Sequence, residues 1–168
     1  DMSVCVGKSG AVQVNRGRRA GEQSSFVLQS SYSFPGEKIG WNELKATAAG
    51  STKSWKAKVR KSGKDSFVIE ARCRHYAIKR VLRFAKGRLK WEDTLTNVTR
   101  QPVGILISHL MTTPQAMTNA RSMTTADNPT IFFSQPGGDF GIVAEDDVSR
   151  LQFESSCIAN SAKLKHSH

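Results

Sequence analysis

An alternation of apolar and polar residues at every second position constrains this chain most. Ser54–Arg60 reads Ser-Trp-Lys-Ala-Lys-Val-Arg. Trp55, Ala57 and Val59 face one way, and Lys56, Lys58 and Arg60 face the other. That is the period of a half-buried antiparallel strand with a basic outer face. Lys61–Asp65 reads as a turn. Ser66–Tyr76 alternates again, with Phe67, Ile69, Ala71 and Cys73 opposite Val68, Glu70, Arg72 and Arg74. The two segments predict a hairpin.

The period continues on both sides. Ile78–Phe84 reads as a strand, Ala85–Gly87 as a turn and Arg88–Asn97 as the next strand, with Leu89, Trp91 and Leu95 on one face and Asp93 between them. Val103–Met111 is apolar on both faces up to Ser108 and His109, which predicts a central strand. Ser25–Phe34 alternates before Pro35-Gly36, and Thr130–Ser134, Phe140–Ala144 and Ser149–Glu154 are short strand candidates. Trp41–Ala49 is open between a short helix and a strand. Met111–Pro129 reads as a loop, although Met117, Ala120 and Met123 recur at three-residue spacing. Many short strands at close spacing imply an all-β fold, an antiparallel β-sandwich with little helix. With 168 residues, no internal repeat and no evident linker, the expectation is a single domain over 1–168, with 1–20 and 160–168 at its periphery.

Charge narrows the partners. Residues 1–100 hold 21 Lys and Arg against 8 Asp and Glu, whereas 101–168 hold 4 against 6. The excess is concentrated in 53–90, where 14 basic residues face only Asp65 and Glu70. A one-sided field of this kind favours anionic partners: nucleic acid, acidic polysaccharide or anionic lipid. No apolar run approaches the roughly 20 residues of a membrane-spanning helix, so no membrane span is expected. The cysteines Cys5, Cys73 and Cys157 are odd in number and form no CxxC pair, which leaves one bridge plus a thiol, or three reduced thiols.

Familiar catalytic motifs are missing. Val6-Gly7-Lys8-Ser9 ends like a phosphate loop but lacks the upstream glycine and a following helix. Two constellations remain. Arg72, Arg74 and Arg80 carry planar forks suited to carboxylate, sulfate or phosphate, with Tyr76 or Trp41 offering a flat ring for stacking on a sugar or base. Glu145, Asp146 and Asp147 form an acidic strand end, where Asp146 and Asp147 suit sugar hydroxyls or a divalent cation; no other cofactor is expected. His75, His109 and Glu145 are the catalytic candidates. Cys73 and His75 are two residues apart and on one strand would share a face.

Several of these segments together resemble a known group. Phe26–Phe34 before Pro35-Gly36, Tyr76–Arg80, Trp91-Glu-Asp-Thr-Leu-Thr-Asn97, Pro102–His109 and Gly141–Asp147 resemble the β-supersandwich domains of the galactose-mutarotase-like group, found in sugar epimerases, polysaccharide lyases and glycoside hydrolases. The resemblance spans 26–154. It implies adjacent strands of one sheet, with a concave face that binds carbohydrate, and a compact version or part of the longer domains usual in that group. A mutarotase site needs a His and a carboxylate; His109 with Glu145 or Asp147 are the residues on offer. The expected function is carbohydrate recognition, of an anionic glycan by a basic strand face, within a polysaccharide-active protein. Nucleic-acid binding by the same strands and an epimerase or lyase using His109 or His75 are the alternatives, with the balance towards binding. Carbohydrate activity would favour an extracellular or periplasmic location.

Overall fold

The computed structural model describes residues 2–17, 23–34, 40–46, 51–123, 130–145 and 153–167. Among them the fold is all-β and antiparallel, without helix. The strands are β1 (Met2–Val6), β2 (Val12–Arg16), β3 (Ser24–Ser33), β4 (Asn42–Leu44), β5 (Lys58–Gly63), β6 (Ser66–Arg72), β7 (Tyr76–Ala85) and β8 (Arg88–Asn97). They continue as β9 (Leu106–Thr112), β10 (Thr118–Met123), β11 (Thr130–Gln135), β12 (Gly138–Val143), β13 (Phe153–Ile158) and β14 (Ser161–Ser167). One sheet runs β1-β2-β3-β9-β14-β13, with β4 also on β3; β10-β11-β12 form a second and β5-β6-β7-β8 a third.

The chain divides into two compact units. One comprises 1–3, 13–28 and 106–168; the other comprises 4–12 and 29–105. In the first, Phe26 of β3 meets Phe133 of β11 edge-on at 6.5 Å and Phe140 of β12 at 5.1 Å. Arg16 of β2 donates to the Asp139 carbonyl at 2.9 Å. Two layers of sheet therefore share this aromatic core, as a sandwich requires.

In the second unit, β5 to β8 form a meander with two-residue turns at Lys64-Asp65 and Lys86-Gly87. Lys86 and Gly87 sit at φ 51° and 73°. Both signs match the primed turn whose twist suits the flanking strands. Apolar residues in alternate phase put Ile69, Ala71, Ile78 and Leu82 on one buried face. Tyr32, Leu44 and Trp55 are buried in the same unit, with the Trp55 ring 5.9 Å from Tyr76 and 6.0 Å from Tyr32.

Gly10 shows how tightly this core closes. It lies in the β1–β2 turn at φ 87°, donating its N–H to the Gly7 carbonyl at 2.9 Å. A Cβ there would stand 2.8 Å from Leu44 Cδ2 and 3.2 Å from Ile69 Cγ2. Gly10→Ala meets both a left-handed backbone and a filled core. We expect a loss of about 1–3 kcal/mol, read as a lower urea midpoint with unchanged slope. The segment that ends like a phosphate loop is thus a hairpin turn.

Several boundaries differ from the sequence expectation. Ser54–Ala57 precedes β5 instead of opening it, because the Trp55 N–H turns back to the Thr52 carbonyl at 2.9 Å. The long strand expected over Ser66–Tyr76 breaks at Cys73–His75, the bend joining β6 to β7. Trp41–Ala49 contributes the short strand β4, and residues 47–50 lie outside the described residues. The stretch read as a loop contains β10, whose register slips between Thr118 and Arg121 around Asn119 at φ 51°. The segments expected at the periphery form β1, β2 and β14, and β14 is hydrogen-bonded to both β9 and β13. All three cysteines are free thiols. Among the described residues no helix is long and apolar enough to cross a membrane.

Candidate anion-binding sheet face

The meander sorts its side chains by parity. Cross-strand register gives one outer row of Lys58, Glu70, Lys79 and Thr94, a second of Arg60, Val68, Val81 and Glu92, a third of Arg83 and Lys90, and a fourth of Arg72, Ala77 and Thr96. Arg88 extends β8 in the same phase. This outer face therefore carries seven basic residues against two acidic ones, all seven exposed. Neighbouring strands lie about 4.8 Å apart, so Lys58 and Lys79, two strands apart, are separated by about 10 Å at their Cα atoms.

Pairing leaves most of this charge open. Glu92 takes Arg83 Nη1 at 2.7 Å and Lys90 Nζ at 3.3 Å. The bond and charge of Lys90, followed by the Arg83 charge, hold the Glu92 carboxyl below its usual pKa, so it remains ionised. Among the described residues, no carboxylate lies within ion-pair distance of Lys58, Arg60, Arg72 or Lys79.

The opposite face of the same strands holds an ion pair instead of a ligand surface. Arg80, expected beside Arg72 and Arg74, is fully buried. Its Nε donates to Asp93 Oδ1 and its Nη2 to Asp93 Oδ2, both at 2.7 Å. Nη2 also donates to the Tyr32 hydroxyl at 2.8 Å, and that hydroxyl donates to Asp93 Oδ2 at 2.8 Å. Burial alone would lower the Arg80 pKa, but the adjacent Asp93 charge and the hydrogen bonds reverse this, and the net shift is upward. A guanidinium committed in this way does not reach a surface ligand.

The other expected site residues are dispersed. Arg72 is exposed on the outer face, and Arg74 is exposed in the β6–β7 bend. Tyr76 is buried rather than available for stacking: its hydroxyl donates to the Tyr32 carbonyl at 3.1 Å and accepts from Asn42 Nδ2 at 2.8 Å. Trp41 is 36% exposed. His75 is buried in the bend with its ring 5.3 Å from Phe34. His109 is buried on β9 opposite Leu164 of β14, whereas Glu145 is exposed beyond β12. His75 belongs to the 29–105 unit; His109 and Glu145 belong to the unit containing 106–168. Asp146 and Asp147 lie outside the described residues, and so does the cation expected there. Among the described residues, no group of three His, Cys, Asp or Glu side chains could hold a metal ion.

Sequence reasoning missed one feature of chemical interest. A cavity of about 180 Å³ opens in the 29–105 unit between Phe34, Asn42, Cys73, Arg74, His75 and Tyr76. Its chemistry-bearing residues lie in the Cys-Arg-His run 73–75, but the alternation reads on through that run and gives no sign of the bend. Comparison with protein-family models, with curated proteins and with solved structures gives no match to this chain.

Proposed function

We propose that the outer face of β5–β8 binds an anionic polysaccharide, either sulfated or uronate-rich. The observation that carries this reading is the register that gathers seven exposed basic side chains on one sheet face, four of them with no carboxylate within ion-pair distance among the described residues. Arg60 and Arg72 supply forks for sulfate or carboxylate, and Lys58 and Lys79 supply point charges. The face carries no aromatic side chain, since Phe67, Tyr76 and Trp91 occupy the opposite phase. Single-stranded nucleic acid normally relies on such rings for stacking, and a duplex groove admits a helix or a narrow ribbon more readily than a broad sheet. The resemblance to galactose-mutarotase-like domains also favours carbohydrate. Recognition of this kind needs no chemistry on the ligand.

The test removes the four open charges together. In Lys58→Ala/Arg60→Ala/Arg72→Ala/Lys79→Ala, the loss of several exposed ion contacts lowers affinity for heparin or polygalacturonate by about 100-fold. The unfolding midpoint stays near that of the parent, because all four side chains are exposed. Dextran serves as the neutral polymer and duplex DNA as the competing polyanion. Equal affinity for DNA and glycans with one common salt dependence overturns the glycan reading. Undiminished heparin binding by the fourfold variant removes this face from consideration.

A further inference from the structure

The cavity at the β6–β7 bend differs from the basic face in shape and chemistry. Its volume, about 180 Å³, lies below the roughly 300–1,000 Å³ of clefts that hold drug-sized ligands. A volume of this size has room for about one sugar-sized ring. Three of its lining residues carry rings, Phe34, His75 and Tyr76, with Phe34 and His75 tilted by 47° at 5.3 Å; Tyr76 and His75 are buried, and Phe34 is half-buried. An apolar ring at the edge of a cavity suits the C–H face of a pyranose. The exposed lining residues are Gly40, Ser54 and Arg74, so a hydroxyl-bearing and a guanidinium-bearing residue border the cavity.

Hydrogen bonds tie several of the lining residues together. Asn42 Oδ1 accepts from both the N–H and the Oγ1 of Thr52 at 3.0 Å, and Asn42 Nδ2 is bonded to the Tyr76 hydroxyl. The bend itself is clamped, with the Cys73 N–H on the Tyr76 carbonyl at 2.9 Å and the Val98 N–H on the His75 carbonyl at 3.0 Å. Arg74 therefore projects from a fixed backbone. Among the described residues it has no carboxylate within ion-pair distance. These bonds lower the cost of organising the bend around a ligand.

We infer that this cavity binds a single hexuronate ring, the terminal sugar of an acidic glycan, with its carboxylate on Arg74 and its ring against Phe34 and His75. The inference rests on the glycan reading above and deepens it: the sheet face holds the body of the polymer, and the cavity recognises its end. Arg74 supplies a charge-assisted, two-pronged contact that a neutral hexose cannot accept.

The experiment is an amide NMR titration of the intact chain with glucuronate and galacturonate, beside glucose and acetate. A uronate is expected to shift the Gly40, Ser54, Arg74 and His75 amides with a dissociation constant of about 1 mM, as befits one small ring in a shallow site. Arg74→Gln, an exposed substitution, weakens this at least tenfold. Phe34→Ala weakens it with the bend resonances otherwise in place. Glucose binding as tightly as uronate overturns the role of Arg74, and acetate doing so overturns the ring. Absence of shifts at these amides with saturating uronate overturns the site itself. The two readings fail separately: the fourfold face variant should keep uronate binding while losing heparin, and Arg74→Gln should do the reverse.

Discussion

Asp93→Ala is expected to lower the unfolding free energy by about 3–5 kcal/mol, a larger loss than Gly10→Ala brings. Arg80 is fully buried, and two of its guanidinium nitrogens rely on the Asp93 oxygens. Without the carboxylate, a cation is left in an apolar layer between Ile78 and Leu82, and the Tyr32 hydroxyl loses its acceptor. The alternative, shedding the proton, is closed to arginine. Replacing both partners by apolar residues, as in Arg80→Met/Asp93→Leu, removes the stranded charge along with its partner. That double variant should lose much less than Asp93→Ala alone. Urea denaturation of the single and double variants reads this directly. An Asp93→Ala loss below about 1 kcal/mol, the level of an exposed pair, would show that the pair is solvated.

The second large effect is alkaline. The chain has two tyrosines, Tyr32 and Tyr76, and both are buried. Burial first, and for Tyr32 also the Asp93 charge, push both hydroxyls above the ordinary tyrosine value; the Arg80 charge opposes this at Tyr32. Above pH 10 the unfolded chain releases these protons and the folded chain keeps them. The unfolded state then binds fewer protons, so stability falls as pH rises. Each tyrosine contributes about 1.4 kcal/mol by pH 11, close to 3 kcal/mol for the two. Below pH 10 both states keep the protons and this loss is absent. Tyrosinate absorbance should therefore stay flat through pH 10 and appear only together with loss of the β-sheet circular dichroism. An absorbance rise centred near pH 10 with the sheet signal intact would show that a hydroxyl is open to solvent.

The ion pair of Arg80 and Asp93 shows what the sequence could convey and where it misled. Alternation places Ile78 and Leu82 inward, and Arg80 sits in that same phase. Asp93 lies between Trp91 and Leu95 on the adjoining strand, again in the inward phase. Opposite charges at inward positions of neighbouring strands are the signature of a buried pair, and the register brings them opposite each other. Grouping Arg80 with Arg72 and Arg74 by charge type overlooks its parity. Parity also assigns Tyr76 to the core alongside Ile78.

Elsewhere the limits are local. Val12 and Val14 alternate with Gln13 and Asn15, and Ala162 and Leu164 with Lys163 and Lys165. These runs are short and lie near the ends of the chain, where so brief an alternation does not distinguish a paired strand from a solvated segment. The left-handed residue Asn119 and the register slip beside it interrupt the alternation of β10. The bend at Cys73–His75 carries neither Gly nor Pro and so gives no turn signal. For that reason the cavity is not legible in the sequence, although four of its lining residues, Cys73, Arg74, His75 and Tyr76, stand out there by their chemistry.

The meander also differs from the large sheet in how far the chain must travel to build it. Strands β5 to β8 pair only with their sequence neighbours, through turns as short as two residues. The β3–β9 pairing instead brings together strands separated by more than seventy residues. Local hairpins form in microseconds, whereas non-local pairing must first meet the entropy of closing a long loop. The basic face is thus assembled from the segment with the least topological delay. Assembly in that order would bring its positive charges into register ahead of the large sheet, where like charge opposes pairing between the exposed edges of two nascent chains.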